Sequence, residues 1–206
     1  MTGKPATEHE RWQETFSAPG YVFGEGPNAF LERSQPLLPK SGRVLAVSDG
    51  EGRNGVWLAE QGLDVVSVDF SEYAQAKARA LAEKRGIRLA IEPGDMLAYD
   101  WPPAAFDVVV AIFIQYTGPA ERQRMFDGMV RCLKPGGLLL LEGYTTRQLA
   151  YGTGGPPWIE NLYTRDILER QLAALSRLEI HEYDAEIREG DRHAGMSALI
   201  DAVGYK

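Results

Sequence analysis

Apolar residues fall into short runs parted by turn formers, and these runs alternate with segments of helical period. Strand one is Arg43–Val47. It enters a glycine-rich turn at Gly50 and Gly52, and a helix follows over about Asn54–Gln61, stopped by Gly62. Strand two, Asp64–Val68, ends in the acid Asp69. Ser71 caps an alanine-rich helix with Lys84 and Arg85 near its end and Gly86 as its stop. Strand three is Arg88–Ile91. The stretch Glu92–Ala105, with three prolines and no helical period, is a connection. Strand four is Phe106–Ile112. Pro119 opens a helix with Met125, Met129, Cys132 and Leu133 on one face, and Lys134–Gly137 ends it. Strand five is Leu138–Glu142, and Thr164 caps a helix with Leu168, Leu172 and Leu175 on one stripe. Strands six (Arg177–Ile187) and seven (Met196–Gly204) are joined by the polar turn Arg188–Gly195.

The uninterrupted apolar runs of strands four and five read as buried on both faces, as central parallel strands are. The short turn before strand seven forces it antiparallel to strand six. The pattern predicts a single-domain α/β protein: a Rossmann-like, seven-stranded, mostly parallel sheet with an antiparallel last strand and helices on both faces. Residues 1–40 read as a lead-in or lid segment, and 41–206 as the domain proper. No internal repeat appears.

Composition narrows the function. The chain has 206 residues, 44% hydrophobic and 25% charged, enough for one proper core. Its net charge of −7 disfavours nucleic acid and acidic membranes and favours a small-molecule or cationic partner. One cysteine, Cys132, excludes an intrachain disulfide and a cysteine-based zinc site. No histidine pair or trio has metal-ligand spacing, so no metal is expected. Met1–Gln13 lacks the apolar core of a signal peptide, and the longest apolar run is strand-sized, so a cytoplasmic monomer or homodimer is the expectation.

The chemistry concentrates at residues 42–70. Gly50 and Gly52 let backbone N–H groups approach a ligand, the following helix aims its positive end at the same spot, and Asp69 is placed to accept from ribose hydroxyls. This layout holds a nucleoside-containing cofactor at the carboxyl edge of a parallel sheet. Gly50-x-Gly52-x-x-Gly55 also satisfies the dinucleotide fingerprint, so an NAD(P)-dependent oxidoreductase stands beside an S-adenosylmethionine enzyme. The antiparallel final strand favours the second. Tyr73-x-x-x-Lys77 matches a dehydrogenase pair, but it follows strand two, the wrong place for one.

The segments Val44-Leu45, Gly50-Glu51-Gly52-Arg53-Asn54, Asp69, Gly94-Asp95-Met96 and Leu133-Lys134-Pro135-Gly136-Gly137 together resemble class I S-adenosylmethionine-dependent methyltransferases. The Gly-Glu-Gly-Arg-Asn run resembles the branch holding tellurite-resistance-type and thiopurine-type enzymes. Trp12–Phe16, Tyr21–Asn28, Gly154-Gly155-Pro156 and Glu189-Gly190 with His193-x-Gly195 resemble parts of small bacterial members. Ala46 and Ser48-Asp49 depart from the pattern, which commonly has an acid in strand one and Gly-Cys before the first glycine. Ser48 must then adopt a turn at positive φ. Asp49 either faces the methionine end of the cofactor or turns to solvent. These departures leave open a binding module without turnover.

The resemblance implies cofactor contacts from Ser48, Asp49, Gly50, Gly52, Asn54, Asp69, Phe70, Asp95, Met96 and Ile112. Asp69 would take the ribose, Phe70 and Ile112 the adenine faces, and Asp95 its amino group with Met96 alongside. Against this, Gly50 and Gly52 also serve as turn glycines, Asn54 as a helix cap, Asp95 as a turn former, and Ile112 as plain core. Gln115 and Tyr116 either reach the substrate or form an ordinary polar loop. His9 and His181 read as solvent-facing or structural; His193, in the last turn, is the candidate general base. The implied reaction is methyl transfer to a small-molecule acceptor such as a thiol or metalloid oxyanion. The enzyme must chiefly hold nucleophile, methyl carbon and sulfur in line. Trp12, Phe16, Tyr21 and Phe23 either form a lid or pack a leading helix.

Overall fold

The computed structural model describes residues 7–190 and 192–206. Seven strands form one sheet: β1 (Arg43–Val47), β2 (Asp64–Asp69), β3 (Ala90–Pro93), β4 (Phe106–Ile112), β5 (Leu133–Tyr144), β6 (Arg177–Glu189) and β7 (His193–Tyr205). Their order is β3-β2-β1-β4-β5-β7-β6. Pairs from β3 through β5 are parallel, while β7 is antiparallel to both β5 and β6. The antiparallel last strand is therefore inserted between β5 and β6.

Seven α-helices accompany the sheet among the described residues: α1 (Glu8–Ser17), α2 (Ala29–Arg33), α3 (Arg53–Glu60), α4 (Glu72–Arg85), α5 (Pro119–Cys132), α6 (Gln148–Tyr151) and α7 (Arg165–Gln171). Strand alternation sorts the core onto two faces. Leu45, Val47, Val66, Val109, Leu139 and Leu141 pack against Met125, Phe126 and Met129 of α5 and Leu168 of α7. Their neighbours Val44, Ala46, Val65, Val108, Val110 and Leu140 meet Phe30 and Leu31 of α2 and Leu58 of α3 on the other side. Each fully buried leucine or valine contributes roughly 1.5–3 kcal/mol relative to exposure. Ser71 caps α4 through Ala74 N–H, and Gly86 ends it in the left-handed conformation.

The boundaries differ most from the sequence expectation in three places. β3 starts two residues later, because Val66–Asp69 of β2 recruit Ala90–Pro93. β5 starts at Leu133, where a bridge to Phe106 precedes an irregularity in the ladder, so Lys134–Gly137 lies within the strand. The turn expected over Arg188–Gly195 is much tighter, since β6 and β7 stay paired out to Glu189↔His193. That two-stranded ribbon runs past β5, whose pairing with β7 stops at Tyr144↔Leu199. Among the described residues no helix is long and apolar enough to cross a membrane.

Candidate functional site

The strand order reverses between β1 and β4, and a cleft opens at their carboxyl ends. It encloses about 770 Å³, counted out to its mouth. Its floor includes Val47, Ser48, Val110, Ile112 and Ile114; Asp69 and Phe70 flank it; Trp12, Phe16 and Phe23 roof it. The backbone leaves β1 by a left-handed step at Ser48 (φ 48°), followed by Gly50 (φ 59°) and Gly52 (φ 84°). Phe113 makes a similar step (φ 55°) after β4. Non-glycine residues rarely adopt this region, and such positions cluster at functional sites. Ser48 Oγ meets Tyr116 Oη at 2.9 Å, which holds the strained turn against the loop after β4.

Asp69 organises the glycine turn. One carboxylate oxygen accepts from Gly50 N–H at 3.0 Å and the other from Ser71 N–H at 2.9 Å. Burial pushes its acidity toward the neutral form, and these backbone N–H groups oppose that. Each oxygen keeps a further lone pair. Gly50 lies under the roof, where an added Cβ would stand 3.2 Å from the Phe16 ring. Gly52 does not border the cleft. An added Cβ there would meet Ala78 Cβ at 2.6 Å, so its absence lets α3 and α4 close on one another.

Asp49 borders the cleft, but its carboxylate is enclosed between α3 and β2. It accepts from Ser67 Oγ at 2.7 Å and from Gly55 N–H at 3.1 Å, serving the first turn of α3. Enclosure of the carboxyl raises its pKa to about 7, with Ser67 and Gly55 opposing and the charge of Asp69 adding to the rise. Asn54 borders the cleft but accepts from Asn28 N–H at 2.9 Å. Asp95 and Met96 lie off the cleft. Asp95 is exposed and closes its own turn on Leu97 N–H, while Met96 is buried in the core. Gln115 is committed to structure, its amide pairing with Tyr144 and Asn161 backbone.

The lead-in is sewn to the sheet by polar contacts. Gln13 accepts from Ser71 Oγ, Lys77 pairs with Glu51 at 2.7 Å, and Glu51 in turn accepts from Phe23 N–H. Asn28 donates to both Glu142 and Glu189. Buried Arg53 pairs with Glu189 at 2.6 Å. Burial works against the Glu189 charge, but Arg53 and the Ala29 N–H hold the carboxyl below its ordinary value.

His193 opens β7 at the carboxyl edge, and its ring borders the cleft. It is 8% exposed. Its Nδ1 is enclosed and lies 3.9 Å from Glu189, beyond hydrogen-bond length. Burial and the nearby Arg53 charge lower its basicity against the pull of Glu189. Phe23 and Phe113 pack on the ring, each with centroids 4.5 Å away. Phe113, Arg53 and Tyr144 were not singled out by chain pattern as ligand contacts; an aromatic after the strand-four run, before Gln115, was the available signal. A second cavity adjoins the first and shares Trp12, Phe23, Phe113, Tyr116 and His193 with it.

Residues 44–137 match the family model of a methyltransferase domain. The chain is 28% identical over 172 residues to a demethylmenaquinone methyltransferase of Beutenbergia cavernae, covering 80% of this chain and 65% of that protein. It is 34% identical over 101 residues to a demethylmenaquinone methyltransferase of Thermus thermophilus, covering 48% of this chain and 46% of that protein. The matches thus span less than two-thirds of the length of these relatives. Among solved structures, an S-adenosylmethionine-dependent methyltransferase of Methanosarcina mazei superposes with a TM-score of 0.68 at 16% identity, covering 88% of this chain and 98% of that one. The matched segment, residues 44–137, runs from β1 into β5 and so carries the glycine turn, Asp69 and Phe70, on a fold shared with that solved methyltransferase.

Proposed function

We propose that the cleft binds S-adenosylmethionine and that the chain transfers its methyl group to a small-molecule acceptor. One observation carries this reading: the turn at 48–51, the Asp69 carboxylate and the Phe70 ring converge on one largely apolar cleft at the switch point of the sheet. The methyltransferase-domain match supports it over the nicotinamide alternative. Asp69 has lone pairs to spare for the two ribose hydroxyls, and Phe70 and Ile112 offer flat apolar surface for adenine. Gly50 leaves room for the methionine portion where a side chain would meet Phe16. Asp95 and Met96 stand outside this arrangement.

The bound cofactor supplies an electrophilic methyl carbon on a sulfonium. The protein's residues hold that group in place, exclude water, and line up the attacking atom. Trp12, Phe16 and Phe23 close the top as a lid, and their faces favour a sulfonium by cation–π attraction. The curated relatives that name demethylmenaquinone support an organic acceptor. A branch affinity to tellurite-resistance-type or thiopurine-type enzymes would instead supply a metalloid oxyanion or a thiol. Titration calorimetry with S-adenosylhomocysteine tests the reading. Saturable binding that NAD does not displace is expected; no heat and no thermal shift at millimolar ligand overturns it.

A further inference from the structure

We propose that the second cavity is the acceptor site, and that it takes a flat aromatic compound bearing an ionisable hydroxyl whose proton passes to Nε2 of His193. The inference rests on the methyl-donor reading of the first cleft. Three observations lead to it.

The wall between the two cavities is aromatic. Phe113 stacks on Tyr144 with centroids 4.7 Å apart and 26° between planes, and His193 stands edge-on to Phe113 at 69°. Trp12 and Phe23 cover the opposite side. Such ring faces suit a planar aromatic compound, and Arg11 and Arg192, which also line the cavity, suit an acceptor that develops negative charge as its hydroxyl ionises. The second observation is contiguity. His193, Phe113 and Tyr116 border both cavities, so a ring in the second meets the first at His193.

The third observation is how His193 is held. Nδ1 is enclosed on the Glu189 side, 3.9 Å from its carboxylate. The opposite ring edge faces the rim of the second cavity, where a Cβ added to Gly154 would lie 3.8 Å from Cδ2. Nε2 is therefore the nitrogen presented to an acceptor. The charged and titratable groups around the ring are Glu189 on β6, Arg53 on α3 and Tyr144 on β5; Phe23 and Phe113 cover it with apolar surface. Burial keeps the imidazole neutral and able to take a proton, while the ionised Glu189 stabilises the imidazolium that results. An acceptor already ionised at neutral pH, such as a thiolate, has no use for this arrangement.

The step balances as follows. The acceptor O–H bond breaks and its proton goes to Nε2. An oxygen lone pair forms the new O–CH3 bond as the methyl–sulfur bond breaks, leaving S-adenosylhomocysteine and an aryl methyl ether. The imidazolium then returns its proton to solvent.

The test compares 2-naphthol with 2-naphthalenethiol in native protein and in His193→Gln, at pH 7. Native protein with S-adenosylhomocysteine is expected to bind 2-naphthol, read as quenching of tryptophan fluorescence. With S-adenosylmethionine it is expected to turn it over. In His193→Gln, kcat on the naphthol falls by about 100-fold or more, while kcat on the thiol changes by only a few-fold. S-adenosylhomocysteine affinity, measured in both proteins because His193 also borders the first cleft, changes by no more than a few-fold. Thr15→Trp, which narrows the second cavity alone, raises KM for the naphthol by about tenfold without changing S-adenosylhomocysteine affinity. Equal losses on both acceptors overturn the proton-transfer role. Failure of the native complex to bind the naphthol overturns the acceptor class, and an unchanged KM in Thr15→Trp overturns the placement. Failure of native protein to bind S-adenosylhomocysteine overturns the donor reading, and this proposal with it.

Discussion

Replacing Asp49 by asparagine removes a charge while keeping the local hydrogen bonds. The amide oxygen still accepts from Gly55 N–H, and the amide nitrogen donates to Ser67 Oγ, which rotates to receive it. The carboxyl is enclosed although the residue as a whole keeps partial exposure. Its pKa rises from an ordinary 3.8 to about 7. The sign follows from proton linkage: between those values the folded state holds the proton more tightly than the unfolded chain, so stability falls as pH rises through the window. At 1.36 kcal/mol per unit, the window of about three units sets a ceiling of ~4 kcal/mol, and local relaxation around the buried charge lowers that to about 2 kcal/mol. Asp49→Asn should therefore melt at the same temperature as native protein near pH 4, and roughly 4–8 °C higher at pH 8. Thermal melts followed by circular dichroism across this range measure the difference. A gap that does not grow with pH refutes the reasoning, as does a variant less stable throughout. Because the carboxylate points away from the cleft, S-adenosylhomocysteine affinity should move by no more than a few-fold.

Asp69→Ala should weaken S-adenosylhomocysteine binding by about 10-fold or more, the scale of hydrogen bonds to a charged acceptor, and a calorimetric change within twofold removes Asp69 from the ribose. Glu189→Ala leaves Arg53 buried without its partner and should cost about 3–5 kcal/mol in urea unfolding; a loss under about 1 kcal/mol shows that the pair contributes little. Gly52→Ala forces a Cβ to 2.6 Å from Ala78 at φ 84° and should lower the melting temperature by about 4–8 °C, equivalent to roughly 2 kcal/mol; an unchanged melt means α3 and α4 separate freely.

Legibility in the sequence followed burial. β1, β2 and β4 were readable nearly to the residue because both faces are covered and the apolar run is the strand. β3 was misplaced because it is an exposed edge whose limits come from pairing with Val66–Asp69, a partner choice no local pattern displays. The β6–β7 ribbon outruns the hydrophobic signal for the same reason: Arg188 and Glu189 are polar yet stay in the ladder. In the site, Gly50 and Asp69 were singled out by the motif's spacing, and Phe70 and Ile112 by the resemblance; all four border the cleft. Gly52 came from the same motif but serves helix packing. Asp49 was legible as unusual, though its direction was not, because Ser67 lies on the next strand. Phe113 escaped notice, since a positive φ at an aromatic residue leaves no mark on the chain.

The placement of Glu189 and His193 on the terminal strand pair has a consequence for biogenesis. Trp12 and Phe16 are synthesised about 180 residues before the wall they face. Ligand therefore rewards only molecules that have completed the hairpin, and shifts the balance toward them by mass action. A polypeptide shortened before Glu189 would retain five parallel strands yet leave its ligand crevice open on one flank.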